Sequence, residues 1–248
     1  MLKLLSYNIR FGGKGRESKI AEVINAVKPD IVVFQEAYSP LVIERISAET
    51  EMPIFGARQA HSVAFISRVP VENHQWHHPA GSLHSFLEIQ LAGSESRIFG
   101  LHLKPRFSKW SEAKRAREIR ALLNGIKEHQ HGFHLIVGDF NTLAPGERFQ
   151  LKKMPRWIRA LIWISGRDIK RETIQIMLDS GYIDSFRHLY PEVIGHTFPV
   201  WEPHVRLDYV FLPARYTEQL DSVEIIKQPA IVTTASDHFP LLANVQTA

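Results

Sequence analysis

The sequence predicts an α+β fold in which two sheets pack on each other and helices cover the outside. Three observations carry this. Candidate strands outnumber candidate helices. The helices sit between groups of strands. No composition shift, internal repeat or low-complexity tract divides the 248 residues, so residues 1–248 are expected to form a single domain with a substantial core.

Each element has its own signal. Leu2 to Ile9 reads as a strand, broken by Gly12-Gly13. From Glu17 to Lys28, Ile20, Val23, Ile24 and Val27 recur at helical spacing. Pro29-Asp30 turns the chain into Ile31 to Phe34, a continuous apolar run typical of a strand buried on both faces. Pro40 to Glu49 is a second helix. Four strands follow, His61 to Ser67, Val71 to His77, Ser85 to Leu91 and Arg97 to Leu103, separated by Gly, Pro and Ser. Ser111 to His131 is a long amphipathic helix with Ala113, Ala116, Ile119, Leu123 and Ile126 on one face. It leads into the strand Phe133 to Val137. Thr173 to Asp179 is helical, and Arg206 to Leu212 and Pro240 to Val245 are strands.

Composition narrows the chemistry. Cys is absent, which excludes disulfides, a thiol nucleophile and cysteine-based zinc sites. No run approaches the roughly 18 apolar residues of a membrane span, and no charged region and apolar region open the chain as a signal peptide would. A cytoplasmic location is the expectation. The net charge of +4 mildly favours a polyanionic partner.

Several strands end on a polar side chain. Asn8 follows Leu4-Leu5, and Glu36 follows Ile31 to Phe34. His102 lies between Leu101 and Leu103. Leu135-Ile136-Val137 runs through Gly138 to Asp139 and Asn141, whose side chains are expected on one side of an extended backbone. Asp208 lies in Arg206-Leu207-Asp208-Tyr209, and Asp237-His238 precedes Pro240. Singly, each is more often a turn, a cap or a core residue. Together they form a set of carboxylates, amides and two histidines that suits Mg²⁺ or Mn²⁺ rather than zinc. There is no H-E-x-x-H and no Walker loop.

Ser6-Tyr7-Asn8-Ile9-Arg10, Gln35-Glu36, Phe65-Ile66-Ser67-Arg68-Val69-Pro70-Val71, His102-Leu103, Gly138-Asp139-Phe140-Asn141, Arg206-Leu207-Asp208-Tyr209 and Ser236-Asp237-His238-Phe239-Pro240 occur in that order. This series resembles the endonuclease/exonuclease/phosphatase superfamily of DNase I-like, metal-dependent phosphohydrolases. The resemblance implies a four-layer αββα sandwich, two mostly antiparallel sheets flanked by helices, with the site at one end of the sheets. It implies Glu36 and Asn8 as ligands of Mg²⁺ or Mn²⁺, with Asp237 as a further ligand or a residue behind one. It implies Asp139 as the residue that orients or deprotonates the attacking water, and Asn141 as a holder of a phosphate oxygen. His238 would donate to the phosphoryl oxygens, Asp208 would orient it, and His102 would stabilise charge from the other side. The ion neutralises an anionic ester that otherwise repels hydroxide. The remaining donors face the charge that develops.

Bland readings hold for other residues. Arg206 is expected to hold Asp208 or a neighbouring carboxylate, and Tyr7 and Tyr209 to be core aromatics. His74, His77 and His78 read as solvated loop histidines. Arg10 and His61 are weak candidates for phosphate contact, and Lys104 and Arg106 for substrate binding.

Substrate identity stays open. The insertion at about 148–171 carries Arg148, Lys152, Lys153, Arg156, Arg159, Arg167, Lys170 and Arg171, interleaved with Trp157, Ile158, Leu161, Ile162, Trp163 and Ile164. Pro155 is expected in the first turn of a helix and Ser165-Gly166 at its end. The favoured reading is a core-packed helix with a solvated basic face. A lid that grips nucleic acid and a helix lying on anionic lipid compete with it. Leu103 to Trp110 is a second basic-aromatic segment at the rim. A phosphodiesterase, with nuclease activity on nucleic acid, is the first expectation. A phospholipid (sphingomyelinase-like) or sugar-phosphate phosphoesterase is the alternative, and a noncatalytic ligand-binding member of the family is the alternative of another class. Peripheral membrane contact is not favoured.

Overall fold

The computed structural model describes residues 1–164 and 169–247. In chain order the strands and helices are β1 (Leu2–Asn8), α1 (Glu17–Val27), β2 (Ile31–Gln35), α2 (Pro40–Glu49), β3 (Ile54–Gly56), β4 (Val63–Ser67), β5 (Val71–His77), β6 (Phe86–Leu91) and β7 (Arg97–His102). They continue with α3 (Lys109–Gly125), β8 (His134–Asp139), α4 (Arg156–Ile164), α5 (Glu172–Asp179), β9 (Tyr182–Asp184), α6 (Ser185–Leu189), β10 (Asp208–Pro213), β11 (Leu220–Ile225), α7 (Val232–Ala235) and β12 (Leu241–Val245). One sheet has the order β11-β12-β1-β2-β4-β3 and the other β5-β6-β7-β8-β10-β9. Only β1/β2 and β7/β8 pair in parallel among the described strands, so both sheets are mostly antiparallel, as expected.

Alternation along the strands explains the layers. Leu4, Ile31, Val33 and Phe65 meet Leu87, Val137 and Val210 between the sheets. Their neighbours Leu5, Tyr7, Val32 and Phe34 face the other way, onto Ile20, Ile24, Ile43 and Ile46 of α1 and α2. β2 is therefore buried on both faces, which is why its sequence shows no polar alternation. Behind the second sheet, Phe99, Ile136 and Phe211 pack on Ile119 and Leu122 of α3 and Ile174 and Met177 of α5. The result is an αββα sandwich. Full burial of a side chain such as Phe34 contributes roughly 1.5–3 kcal/mol.

Several boundaries differ from expectation for identifiable reasons. α3 starts at Lys109 because the Ser108 hydroxyl accepts the Ser111 N–H, 3.1 Å. It ends at Gly125, and Lys127–His129 is a separate 3₁₀ turn. β8 runs on through Gly138 to Asp139. Gly138 has φ +145, and a Cβ there would lie 2.0 Å from the Leu101 carbonyl oxygen, so only glycine lets β8 approach β7 this closely. Pro155 immediately precedes α4 rather than sitting in its first turn. Ser165-Gly166, expected to end that helix, and Arg167 lie outside the described residues. β3, β9 and β11 were not foreseen. β3, β9 and β11 are short or half-exposed edge strands with little apolar pattern.

The bland histidine reading also changes. His77 is the last residue of β5 and lies 2.6 Å from Glu88. His74 packs edge-on against Phe65 and Trp76. Arg206 is fully buried and binds Glu147, 2.7 Å, and Asp184, not Asp208.

Candidate active site

Strand register assembles the site. In the parallel β7/β8 pair His102 lies opposite Asp139, and in the antiparallel β8/β10 pair Asp208 lies opposite Asp139. His102, Asp139 and Asp208 thus form one row across the end of the second sheet. In the first sheet the β1/β2 register puts Asn8 opposite Gln35, one residue before Glu36. The Asn8 amide spans the two sheets. It donates to Asp139 Oδ2, 3.0 Å, and lies 3.4 Å from Glu36 Oε1.

Asp139 is the hub, with almost no exposure to solvent. Asn141 donates to it twice, from its backbone N–H to Oδ1, 2.8 Å, and from Nδ2 to Oδ2, 3.0 Å. This corrects the extended-backbone expectation. Asn141 has φ +52, so the two side chains meet through a tight Asx-type turn rather than by strand alternation. The Nε2 atoms of His102 and His238 each lie 3.9 Å from Asp139 Oδ2. His238 Nδ1 contacts Asp208 Oδ2 at 2.9 Å, and the Phe198 ring packs against the imidazole with centroids 4.8 Å apart.

The two imidazoles carry different charge. Burial, with the charges of His84 and His238, pushes His102 down to about 3, so it is neutral. Burial acts on His238 in the same direction, but the Asp208 charge and hydrogen bond, with Asp139 and Asp237, outweigh it and push His238 up to about 10. Burial raises Asp139 to about 7, against the opposing pull of His238. Environment thus separates proton donor from proton acceptor.

The loops around this core are held under strain. Arg10, Phe11, Glu36, Ala60, Arg106 and Asn141 all have positive φ. All of them line the cavity except Arg10, which pairs with Asp237 at 3.3 Å. Left-handed non-glycine residues concentrate where surrounding contacts over-determine them. Here those contacts are visible. The Phe11 N–H donates to Glu36 Oε2, 2.6 Å, and the Arg10 N–H to Asn8 Oδ1, 2.9 Å. Arg16 ties the carbonyls of Ile9, Arg10 and Ala235 together. The Ser236 hydroxyl donates to the Asn8 carbonyl, 2.6 Å, fixing the Asp237-His238 loop to β1.

Above the carboxylates opens a cavity of about 760 Å³. Its floor holds Glu36, His102, Asp139, Asn141, Asp237 and His238, and Asn8 and Asp208 lie beneath it. Its walls are largely apolar, including Phe11, Leu83, Phe107, Trp157 and Phe198. Arg106 reaches the rim, whereas Lys104 does not line the cavity. The sequence reading passed over Tyr38, His84 and Phe198. Tyr38 carried a signal, two residues beyond Glu36, whereas nothing local marks Phe198.

A hard dication fits this donor set. Four carboxylates, Glu36, Asp139, Asp208 and Asp237, converge with oxygen-bearing Asn8 and no sulfur. Burial, with the Asp208 charge, raises the Asp139 carboxyl although His238 pulls it down. The ligand atoms of Asp139, Asp208 and His238 lie within 4.8 Å of one another. The 2.9 Å contact between Asp208 and His238 already engages two of these groups, so they read better as an acid–base pair than as a ligand set. Glu36 and its neighbours remain for the cation. Asn8 turns its nitrogen toward the carboxylates while its Oδ1 accepts the Arg10 N–H, so the amide ties Asp139 and Glu36 to the start of the Arg10 loop.

Such an arrangement, a desolvated carboxylate between a neutral and a charged imidazole beside oxygen donors, can position a water, take its proton and donate to an anionic oxygen. The chain belongs to the Endonuclease/Exonuclease/phosphatase family, whose sequence profile matches residues 5–238. A search by sequence among curated proteins finds no match. Similar solved structures include an AP endonuclease from Archaeoglobus fulgidus, with TM-score 0.73, 17% identity and 100% of both chains covered. A 3' phosphatase, NExo, from Neisseria, bound to a product DNA hairpin, has TM-score 0.71 and 18% identity over 99% of this chain and 100% of that one. A humanized D. rerio TDP2 has TM-score 0.68 and 16% identity over 99% of each chain. These likenesses establish the DNase I-like fold.

Proposed function

We propose that the chain is a divalent-metal-dependent phosphodiesterase in which water attacks phosphorus directly. The observation that carries this is Asp139, held by Asn8 and Asn141 between His102 and His238 at the floor of the cavity. Glu36, with Asn8 and Asp237, would hold Mg²⁺ or Mn²⁺. The cation supplies charge neutralisation at the phosphoryl oxygens. Asp139 orients the attacking water and accepts its proton. His238, kept protonated by Asp208, donates to the phosphoryl or leaving oxygen. His102 acts as a neutral donor from the opposite side, and Asn141 shapes the Asp139 carboxylate; its Nδ2 donates to Asp139 and to the Leu103 carbonyl, so holding a phosphate oxygen would take the exchange of one of these bonds. Arg10, paired with Asp237, and Arg106, at the rim, are placed to balance substrate charge. All of this fits within one domain.

The test is hydrolysis of bis(p-nitrophenyl) phosphate with Mg²⁺ or Mn²⁺, repeated after chelation. Turnover should vanish with EDTA and return with metal. Glu36→Gln should lose metal activation, and Asp139→Asn should lose about 10²–10⁴-fold in turnover, as expected for a missing general base. Activity that survives full chelation contradicts the reading. Nucleic acid as substrate is the second reading, supported by the DNA seen with the Neisseria neighbour. Plasmid nicking and choline-phospholipid cleavage, run side by side, separate the two.

A further inference from the structure

Tryptophan is the most informative residue type on this surface. Of the five in the chain, only Trp76 is buried. Trp110, Trp157, Trp163 and Trp201 are 67%, 56%, 63% and 64% exposed. Trp157 lines the catalytic cavity, and Trp201 lies beside Phe198 and Arg10 of the site, with centroids 6.4 Å from the Phe198 ring. Two of the four exposed tryptophans thus stand at or beside the mouth, and Trp163 lies on the same helix as Trp157.

Helix α4 shows why. Its Ile158 and Ile162 pack into a small core with Leu143, Met154 and Leu207. That stripe explains the helix. A second stripe, Trp157, Ala160 and Ile164, joins no such core among the described residues and lines a shallow groove with Arg106. Trp163 and Ile164 are both 63% exposed. A helix with a single apolar face buries it, and one that is apolar on two faces needs a second apolar surface. The favoured expectation, a core-packed helix with a solvated basic face, covers only half of this. The two segments beside the mouth are basic, although Glu192 and Glu202 from elsewhere in the chain pair with Arg148, 3.8 Å, and Lys153, 3.6 Å. Residues 103–110 and 148–164 carry Lys104, Arg106, Lys109, Arg148, Lys152, Lys153, Arg156 and Arg159 and no acid. The loop is rigidly presented, because buried Arg115 donates to the carbonyls of Lys104, 2.7 Å, and Arg106, 2.9 Å.

We propose that this rim is a docking surface for an anionic phospholipid membrane, with α4 lying in the interface and the cavity mouth facing the lipid. Cations flanking exposed Trp and aliphatic residues are what an interfacial helix requires. Indole rings settle at the headgroup level, and Arg stems reach lipid phosphates. Single-stranded nucleic acid would also stack on Trp. It gains nothing from exposed Ile164, Leu151 and Leu83, whereas hydrocarbon does. The aliphatic exposure decides for lipid.

The experiment is sedimentation of the full chain with vesicles of phosphatidylcholine alone, or mixed with phosphatidylglycerol, while Trp emission is recorded. The mixed vesicles should carry the protein down and shift its emission to the blue, and added salt should weaken this. Trp163→Ser with Ile164→Ser, neither of which lines the cavity, should weaken partitioning about tenfold or more. It should leave bis(p-nitrophenyl) phosphate hydrolysis unchanged. Arg156→Gln with Arg159→Gln should cost about fivefold per charge on anionic vesicles only. Failure to sediment with anionic vesicles overturns the proposal. So does sedimentation that both pairs leave intact, or a loss that appears instead on a single-stranded oligonucleotide. None of these outcomes touches the phosphodiesterase reading, which the soluble ester tests alone.

Discussion

Replacing Asp208 with Asn removes the charge that holds the His238 proton and leaves the volume in place. His238 sits at about 10 in the fold against 6.5 for an ordinary histidine, a difference of roughly 5 kcal/mol at about 1.4 kcal/mol per decade. Burial, the largest single influence, works against this proton and remains in the variant; Asp139 and Asp237 favour the proton and also remain, each with a smaller effect than Asp208. His238 should therefore fall to an ordinary value or below. At pH 8 the native imidazole is about 99% protonated, and an ordinary one is about 3% protonated. If His238 is the proton donor, turnover at that pH should fall at least about thirtyfold, and more where the tautomer is also lost. The assay is the pH–rate profile on bis(p-nitrophenyl) phosphate, with the His238 ring followed by NMR. The native alkaline limb should lie near pH 10, and the variant limb below about pH 7. Linkage gives an independent check. A histidine raised in the fold stabilises fully below 6.5, and that stability is lost as pH rises through about 10. The native melting temperature should therefore fall across this window and the variant's should not. An Asp208→Asn enzyme whose alkaline limb stays where the native one lies refutes the pairing argument.

Two further substitutions probe the frame. Gly138→Ala should destabilise the fold by several kcal/mol, about 3 or more, because its Cβ would lie 2.0 Å from the Leu101 carbonyl at a positive φ; a melt within a few degrees of the native one would show that β7 and β8 can part. Arg206→Met should cost about 3–5 kcal/mol in denaturant unfolding, since it leaves Glu147 and Asp184 buried without their cation; a neutral result would mean that Arg187, 2.9 Å from Glu147, suffices.

Much of the site was legible because a strand that ends on a polar residue writes both facts locally. Glu36 after Ile31–Phe34 and Asp139 after Leu135–Val137 needed no tertiary knowledge to be singled out. Arg206 was read as the partner of a carboxylate, but its partners lie 59 and 22 residues away, and no local pattern names them. β11 escaped because an edge strand is half solvated and its alternation resembles a loop's, and β9 because three residues are too few to show a period.

Local patterning by itself determined the inner strands, the longer helices and the residue types that can hold a hard cation, since periodicity and burial preference act over a few residues. Register decided the rest. Only sheet pairing sets His102, Asp139 and Asp208 in one row, and only packing of two sheets brings Asn8 within 3.0 Å of Asp139. Protonation followed from that packing, because desolvation and neighbouring charge make one imidazole neutral and the other cationic. Two histidines with the same intrinsic chemistry, one left neutral and one cationic, differ only through what surrounds them in three dimensions.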